Sequence, residues 1–437
     1  MATNLIRPEW ENLDSAELRL LLDERVGGPG QYDSRDAGPN TLYLPLARAS
    51  CKIKVTFRNE KIVKAEPGPA FDAAEWERIC KEIEESILSG PLKVGREYTF
   101  SRFRVLGSWR GIRSGVQILP PPEDAPRAPV ELADHPFILE FPIRVTDLDR
   151  ITNRRRIHEH RRLTLLLNVL LRGGTSFDPP RPGQCWGSLP ESLETKWVQQ
   201  SFFANLGPLV ADVLSQAPGE KLAEIEPGAY YSEIGHDGQG LRVPSDLDDS
   251  ICLYTQLSPT NRAKFDRAAF WLDVASRQWT ISISSSFASL VSAVESLTDR
   301  GAVHRVYCKK CKGECQHEAP GATERFRAFF EKFAPGAAQR KRRNEMYAVR
   351  SGIVHGSDLM QVDQDRDFGW DPPGWNEREL YNELWTVTRA ALRNWLKNPG
   401  SDNQAGQRTR SSQRFILGLL GTMLALLGLL LWRDHRS

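Results

Sequence analysis

The chain has 437 residues, of which 40% are hydrophobic and 26% are charged, and its formal net charge is +2. This hydrophobic content excludes a largely disordered chain, and the balanced charge excludes a protein that binds polyanions over its whole surface. The length allows roughly two or three domains, and the odd cysteine count of 7 and the polar N-terminus favour a reducing compartment.

Residues 1–250 are predicted to form an α+β domain. Polar and apolar residues alternate over residues 51–57, which is the period of a half-buried strand, and Ile62 begins a second apolar run, so we predict a hairpin. Asp72 and Glu75 have the spacing of a helix N-cap box. We expect this domain to act as a sensor, although its composition does not indicate the trigger.

From about residue 255 the sequence changes to helical patterns, and residues 255–397 are predicted to form an all-α, up-and-down bundle. Apolar residues recur at helical spacing in several segments that loops connect. The predicted helices cover residues 260–278, 286–297, 323–333, 340–354 and 377–396.

A cluster of soft metal ligands lies between the second and third of these helices. Cys308, Cys311, Cys315 and His317 offer three thiols and one imidazole, a set that can hold zinc tetrahedrally. His304 is a rival for the fourth position. We predict a structural zinc ion that clips the loop, and reduced surface thiols are the alternative. Since no carboxylate is arranged to serve a metal-bound water, we do not expect a catalytic metal.

The fourth predicted helix carries Arg350 and His355 and is followed by Gly356. An arginine can bind a phosphate through two parallel hydrogen bonds, and a histidine can exchange a proton near neutral pH, so the pair suits chemistry on a phosphodiester. On a regular helix the two side chains would point about 140° apart. They can face one site only if the helix ends or bends between them, for which Gly352 and Gly356 offer places.

The run from residue 344 to residue 356 resembles the Arg-x4-6-His motif of HEPN domains, particularly the Apea-like group, and the resemblance covers about residues 255–397. It implies a dimer whose two motifs face one cleft, with Arg350 binding the scissile phosphate and His355 acting in general acid–base catalysis. The nucleophile would be the 2′-hydroxyl of the RNA itself, so the implied reaction needs no metal.

A non-catalytic module is the alternative for the same residues. In that case the bundle mediates an interaction or holds a nucleotide, Arg350 pairs with an acid such as Glu295, and His355 caps the end of the helix.

The beginning of the motif helix adds candidates for RNA contact. Its basic run can draw phosphates toward Arg350, Tyr347 lies one turn before Arg350 and suits stacking, and Asn344 can donate a hydrogen bond. A second basic run occupies residues 153–162, and each run can instead be a solvated helix surface. Few aromatic residues lie among these runs, so the sequence does not indicate a base-stacking surface there. The candidate RNA-contacting residues are Arg340, Lys341, Arg342, Arg343, Asn344 and Tyr347.

The end of the chain carries the strongest hydropathy signal. Residues 398–414 are predicted to be a polar linker, and residues 415–432, from Phe415 to Trp432, contain no charged side chain. At about 1.5 Å per residue, this run matches the hydrocarbon core of a bilayer. Basic residues are more numerous before the run than after it, so we predict a single-pass C-terminal transmembrane anchor with the large domain facing the cytoplasm.

Together these patterns predict a multidomain, membrane-anchored, HEPN-like protein that binds RNA and cleaves it without a metal. A role in stress or antiviral defence is implied by the resemblance alone.

Overall fold

The computed structural model divides the chain into two compact units, an N-terminal unit of Met1–Cys252 and a C-terminal unit of Leu253–Ser437. The residues that the structure describes form eleven helices and fifteen strands. The described residues are 5, 10, 15–26, 41–45, 52–58, 61–68, 71–88, 90–123, 135–172, 174–176, 184–188, 195–199, 208–232, 240–279, 281–299, 302–308, 313–319, 321–335, 340–364 and 372–399.

Helices account for most of the C-terminal unit and for part of the N-terminal unit. In chain order they are α1 (Ser15–Val26), α2 (Ala73–Leu88), α3 (Asp149–Leu170), α4 (Pro227–Ser232), α5 (Leu247–Thr255), α6 (Pro259–Gln278), α7 (Ile283–Leu297), α8 (Ala322–Phe333), α9 (Arg340–Val354), α10 (Gln361–Gln364) and α11 (Pro372–Lys397).

Strands lie mainly in the N-terminal unit. They are β1 (Thr41–Pro45), β2 (Lys52–Arg58), β3 (Lys61–Pro67), β4 (Leu92–Ser101), β5 (Trp109–Arg110), β6 (Gln117–Leu119), β7 (His135–Arg144), β8 (Thr175–Ser176), β9 (Gln184–Ser188), β10 (Thr195–Gln199), β11 (Val210–Ala211), β12 (Glu224–Ile225), β13 (Val243–Pro244), β14 (Ala302–Cys308) and β15 (Gly313–Ala319).

In the described part of the N-terminal unit, β9 and β10 form an antiparallel pair and β12 and β13 a parallel pair, beside two larger antiparallel sheets. The smaller of these two sheets has the order β1-β2-β3, and its β2–β3 hairpin confirms the one predicted from the alternation of residues 51–57. The larger has the order β11-β4-β7-β6-β5, with β8 also paired to β4. The helix α3 packs against β4 and β7 of this sheet. Phe137, Leu139 and Phe141 alternate along β7 and are completely buried, because strand residues two apart point to the same face.

In the C-terminal unit, α7 is the central helix and packs against α6, α8, α9, α10 and α11. Phe287, Leu290 and Val294 lie on one face of α7 and are completely buried. The side chain of Ser258 caps α6 by accepting a hydrogen bond from the Asn261 amide, and Pro259 occupies the first turn, where a missing N–H costs nothing. This packing fixes α9 against α7, and α9 carries the predicted motif.

The predicted all-α character of the C-terminal bundle is wrong. The strands β14 and β15 pair antiparallel between α7 and α8, so both units mix helices and strands. Val303, Val306 and Tyr307 are residue types that favour strands, but they lie within the segment that was interpreted as a metal-binding loop.

The predicted transmembrane anchor and its cytoplasmic orientation are corrected as well. Among the helices in the described part of the chain, none is both long enough and apolar enough to cross a bilayer. The segment on which the prediction depended, Phe415–Trp432, lies outside the described residues, as do residues 400–414 of the predicted linker.

Candidate functional site

The candidate site is built on the second half of α9. Met346 anchors this helix in the core with no exposed surface, and the ring of Tyr347 lies 5.3 Å from that of Phe326 on α8. One turn later, Arg350 lies on the side of α9 that faces α7. The interior contacts of α9 therefore set the direction of the Arg350 side chain.

Glu295 on α7 holds two side chains of α9 at once. Arg350 Nη2 donates a hydrogen bond to Glu295 Oε2 at 2.9 Å, and Tyr347 Oη donates to Glu295 Oε1 at 3.2 Å. The guanidinium carbon of Arg350 lies 5.8 Å from the centre of the Tyr347 ring. Burial raises the pKa of the Tyr347 hydroxyl, and the charge of Glu295 raises it further. These contacts fix the guanidinium, and 19% of the Arg350 side chain remains exposed.

Arg350 keeps donors that Glu295 does not use. In the described part of the chain, its Nε is buried without a hydrogen-bond partner, and its hydrogen bond to Glu295 uses Nη2 alone. A guanidinium has five N–H donors in a fixed fork, so the contact with Glu295 leaves donors of Arg350 unused, and of these the buried Nε does not face solvent.

The helix α9 ends at the predicted position. Gly356 has a φ of +70°, its amide donates to the carbonyl of Ile353 at 3.1 Å, and the Ser357 amide donates to that of Gly352 at 3.0 Å. This pair of hydrogen bonds is the Schellman arrangement, which a left-handed glycine favours. The helix does not break at Gly352, and Gly356 comes after His355. The helix therefore neither bends nor ends between Arg350 and His355, and helical rotation points their side chains in different directions.

His355 is the last residue before this glycine, and its side chain is exposed. Its amide donates to the carbonyl of Ser351 at 3.0 Å. Its imidazole makes no hydrogen bond or ion pair with any described residue, so both ring nitrogens can reach a ligand. The structure therefore places Arg350 on the interior side of the helix and His355 at its exposed end.

The chain after His355 is docked firmly onto α7. The Asp363 carboxylate accepts hydrogen bonds from Ser282 Oγ at 2.7 Å, from the Ser284 amide at 2.7 Å and from the Ile283 amide at 3.0 Å. Burial raises the pKa of Asp363, but these hydrogen bonds outweigh it and the pKa lies below its ordinary value. Ser282 is the N-cap of α7 and accepts from the Ser285 amide at 3.1 Å. Asp363 supplements this cap from a distant part of the chain by accepting the amides of Ile283 and Ser284.

Two further contacts fix the same segment. The amide of Met360 donates to Ser284 Oγ at 2.9 Å, and the side chain of Met360 is 2% exposed. The amide of Gln361 donates to Glu377 Oε2 on α11 at 2.7 Å. The segment that follows His355 is thus held between α7 and α11.

The predicted basic run at the start of α9 is largely neutralised by acids. Arg342 bridges Glu345 and Glu383, each at 3.1 Å. Arg343 is only 5% exposed and lies 3.7 Å from Glu331. These two arginines hold α9 to α8 and α11. Since acids compensate their charge, they add little to the attraction of RNA phosphates toward Arg350.

The other candidates near the start of α9 are more accessible. Lys341 is exposed, and Asn344 uses its Oδ1 to accept a hydrogen bond from Arg327 at 3.2 Å. Arg340 begins the helix, but its side chain lies outside the described part of the structure. Lys341 is therefore the member of this run whose side chain is seen open to solvent.

The predicted zinc ligands fall on the β14–β15 hairpin. Cys308 ends β14, Cys315 and His317 lie in β15, and the register sets His304 opposite His317. Cys311 lies outside the described residues. Within the described ranges, no group of at least three His, Cys, Asp or Glu side chains is gathered as a metal site. The zinc ion stays a prediction.

A scan of the sequence against protein-family models and searches of the curated proteins and of the solved structures found no match. The HEPN assignment therefore stays a prediction that depends on the motif and its setting.

Sequence reasoning found Glu295 but missed Asp363. Glu295 stood out because it is an acid among the apolar positions of a predicted helix. Asp363 lies 80 residues from Ile283, and no local pattern connects a carboxylate in one loop to the first turn of a distant helix.

Proposed function

We propose that the end of α9 is a HEPN-like site at which single-stranded RNA binds and is cleaved without a metal ion. The observation that supports this best is the contrast between the two motif residues. Arg350 is held by Glu295 with donors to spare, whereas the exposed imidazole of His355 has no partner among the described residues. A fixed guanidinium suits phosphate binding, and an exposed imidazole suits proton transfer.

In the proposed reaction, an imidazole accepts the proton of a ribose 2′-hydroxyl, and the resulting oxygen attacks the adjacent phosphorus. The bond from phosphorus to the 5′-oxygen of the next nucleotide breaks, and that oxygen takes a proton from an imidazolium. The products are a 2′,3′-cyclic phosphate and a 5′-hydroxyl. Arg350 offsets the negative charge that builds on the non-bridging oxygens.

The two proton transfers call for two imidazoles. The base must be an unprotonated imidazole and the acid a protonated one, so a single His355 cannot serve as both in the same step. We therefore propose a homodimer in which one copy of His355 is the base and the other is the acid, facing a shared cleft.

The test is RNA cleavage by His355→Ala and Arg350→Ala. Each loss removes an interaction made with the reacting groups, so we expect the rate to fall by at least about 100-fold. Arg350→Lys keeps the charge but loses the fork, and we expect it to recover only part of the rate.

Arg267→Ala is the matched control, because Arg267 is an exposed arginine on α6 of the same unit. Circular dichroism checks that each variant is folded. Cleavage that survives in both motif variants, or that is absent in the wild type, rejects the proposed reaction.

Binding without cleavage is the second candidate, and the Arg350–Glu295 ion pair at 2.9 Å favours it. In that case the pair is a structural contact between α7 and α9, and RNA or a nucleotide binds at the exposed helix end. Wild-type protein would then retain RNA intact, and His355→Ala would alter affinity alone.

A further inference from the structure

Four large apolar side chains of the C-terminal unit are unusually exposed, and we call them the apolar rim. They come from the turn between α6 and α7, from the segment after α9 and from the start of α11. They are Trp279 (48% exposed), Ile281 (75%), Leu359 (49%) and Trp375 (57%). Single exposed apolar residues are common on protein surfaces, so the rim is informative only because its segments meet.

The segment after α9 is held against the turn before α7. Ile281 directly precedes Ser282, whose hydroxyl donates to Asp363 at 2.7 Å. Leu359 directly precedes Met360, whose amide donates to the hydroxyl oxygen of a serine in the first turn of α7 at 2.9 Å. Ile281 and Leu359 therefore each lie next to a contact that joins the same two segments.

The same segment also meets the start of α11. The Gln361 amide donates to Glu377 Oε2 at 2.7 Å. Trp375 lies two residues before Glu377 on α11, and Leu359 lies two residues before Gln361. The three segments that carry the rim therefore come together at one end of the helical unit.

The charges at this end are mainly acidic. Asp358 and Glu379 are exposed, Asp363 and Glu377 are half-buried, and Arg378 is an exposed basic residue among them. In the sequence, seven acidic and two basic residues lie from residue 358 to residue 379. An occupant that complements this surface must therefore offer apolar side chains together with positive charge, and a nucleic acid offers neither.

The chain itself contains a segment of this chemistry beyond the described residues. From residue 403 to residue 432 it has three arginines, Arg408, Arg410 and Arg414, and no acidic residue. The uncharged apolar run Phe415–Trp432 follows these arginines directly. Contact between this run and exposed apolar side chains is favourable, because it removes both surfaces from water.

The number of residues after α11 allows this segment to reach the rim. Trp375 and Lys397 lie 22 residues apart on α11, which is about 33 Å of helix. The 16 residues from residue 399 to Phe415 can extend over about 53 Å. The chain can therefore return along the full length of α11 and bring the apolar run to the start of that helix.

We propose that the segment from Arg408 to Trp432 docks on the apolar rim of its own chain. Its apolar run contacts the rim, and its arginines lie beside Asp358 and Glu379. The docked segment withdraws two apolar surfaces from water and brings opposite charges together at the edge of the contact. The proposal does not depend on RNA as the ligand of the His355 site, and it holds whether or not the protein cleaves RNA.

The experiment uses the full-length chain with the photo-reactive amino acid p-benzoylphenylalanine at the position of Trp375. The protein is irradiated in detergent-free buffer, and mass spectrometry locates the cross-links. A mixture of isotopically labelled and unlabelled chains separates links within one chain from links between chains. We expect links from this position to residues 408–432 of the same chain.

The control places the same amino acid at Phe270 on α6. Phe270 is 37% exposed and lies about 13 Å along the helix axis from Trp279. It should give few links to residues 408–432, so that the yield from the rim exceeds the control yield by about fivefold or more.

Charge reversal tests the role of the acids. Asp358→Lys combined with Glu379→Lys should lower the yield of rim links to the segment by about fivefold, because its arginines then meet like charges. Adding Arg408→Glu, Arg410→Glu and Arg414→Glu to that variant should restore most of the lost yield. Circular dichroism checks that each protein is folded.

Three results would overturn the proposal. The first is an absence of rim links to residues 408–432, or a yield no greater than that from Phe270. The second is links that form between chains alone, since the rim then binds a second copy, or links to the lipid of added phosphatidylcholine vesicles in place of the segment. The third is a yield that the charge reversals leave unchanged.

Discussion

At the residue scale, the contact with Glu295 restricts the position of the Arg350 guanidinium. Its carboxylate accepts from Arg350 and Tyr347 in a setting that is only partly exposed. Removing one partner of such a pair leaves the other with unsatisfied hydrogen-bonding groups, whereas removing both does not. The ion pair therefore stabilises the contact of α9 with α7 and also limits the directions that the guanidinium can take.

The interaction can be measured with a double-mutant cycle. We expect Glu295→Gln and Arg350→Ala each to lower the free energy of unfolding by about 1 kcal/mol. Because the two residues share one contact, the double variant should lose less than the sum by at least about 0.5 kcal/mol. Chemical unfolding of the four proteins gives these values. Strictly additive losses would show that the two side chains do not interact in solution.

A second residue-scale feature is the buried His160 on α3, which is 6% exposed. Its Nε2 lies 2.9 Å from Thr99 Oγ1, and its ring stacks on Phe141. Burial and repulsion from Arg156 together lower the pKa of His160 to about 3, although a hydrogen bond with the Tyr98 backbone acts in the opposite direction. This imidazole is therefore neutral in the folded protein at every pH of biological interest.

The direction of the pH effect follows from this lowered pKa. The unfolded chain binds a proton at this histidine near its ordinary pKa of 6.5, while the folded protein does so only near 3. Acid thus favours the unfolded state, and stability falls as the pH is lowered from about 6.5 toward about 3, at up to about 1.4 kcal/mol per pH unit.

The check is unfolding of wild type and His160→Gln at pH 7, 6 and 5. The variant should be less stable at pH 7 but should lose less stability between pH 7 and pH 5. Parallel pH dependence in the two proteins would contradict the assignment of this effect to His160.

At the element scale, the segment from Gly356 to Asp363 connects three helices. Asp363 supplements the N-terminal cap of α7, so Asp363→Ala should destabilise the C-terminal unit by roughly 1–2 kcal/mol, and Asp363→Asn by less. Because hydrogen bonds lower the pKa of Asp363, its contribution is present at neutral pH and is lost as the pH falls through that lowered value.

Hydrogen exchange measures this effect locally. The amides of Ile283 and Ser284 should lose protection in Asp363→Ala, while those in the middle of α6 keep theirs. Unchanged protection at the start of α7 would show that Ser282 alone caps this helix.

The zinc prediction also belongs to a single element, the β14–β15 hairpin. We expect freshly purified, reduced protein to contain about one zinc ion per chain, and Cys308→Ser and Cys315→Ser to lose it, because zinc holds a site of four ligands. Elemental analysis measures the metal, and Cys252→Ser, which alters a buried thiol outside the hairpin, is the control. Metal-free wild type would remove the proposed site.

Local patterns predicted the elements whose stabilising contacts are close in sequence. Asp72 caps α2 by accepting from the amides of Ala74 and Glu75 at 2.9 and 3.1 Å, and Gly356 ends α9, as the sequence indicated. The directions of the side chains were not predictable in the same way. Arg342 and Arg343 form part of a basic run in the sequence, yet each pairs with an acid on another helix, because helix packing sets those contacts.

The candidate site was predictable in part for the same reason. Arg350 and His355 could be found from residue type and spacing, and Glu295 from an acid at an apolar position. Asp363 could not be connected to the start of α7, since it lies 80 residues from Ile283 and only helix packing brings the two together.

At the scale of the whole molecule, the two compact units divide at Cys252 and Leu253. All the residues of the proposed RNA site lie in the C-terminal unit. The proposed chemistry nevertheless needs two chains, because one copy of His355 cannot be both acid and base.

A mixing experiment tests this requirement. Wild-type protein and an excess of His355→Ala protein are exchanged into mixed dimers, and the cleavage rate is followed. If each cleft needs both imidazoles, the cleavage rate should fall below the value expected from the fraction of wild-type chains in the mixture. When Arg267→Ala protein is added instead, the cleavage rate should stay proportional to the number of active chains. A strictly proportional fall with His355→Ala would mean that each chain acts alone.

The most direct measurement is the identity of the RNA ends formed by wild-type protein in the presence of a metal chelator. We expect fragments with a 2′,3′-cyclic phosphate and a 5′-hydroxyl, formed by wild type and not by His355→Ala, and no cleavage of RNA whose 2′-hydroxyls are methylated. Fragments with a 5′-phosphate, or cleavage of RNA whose 2′-hydroxyls are methylated, would contradict the proposed role of Arg350 and His355.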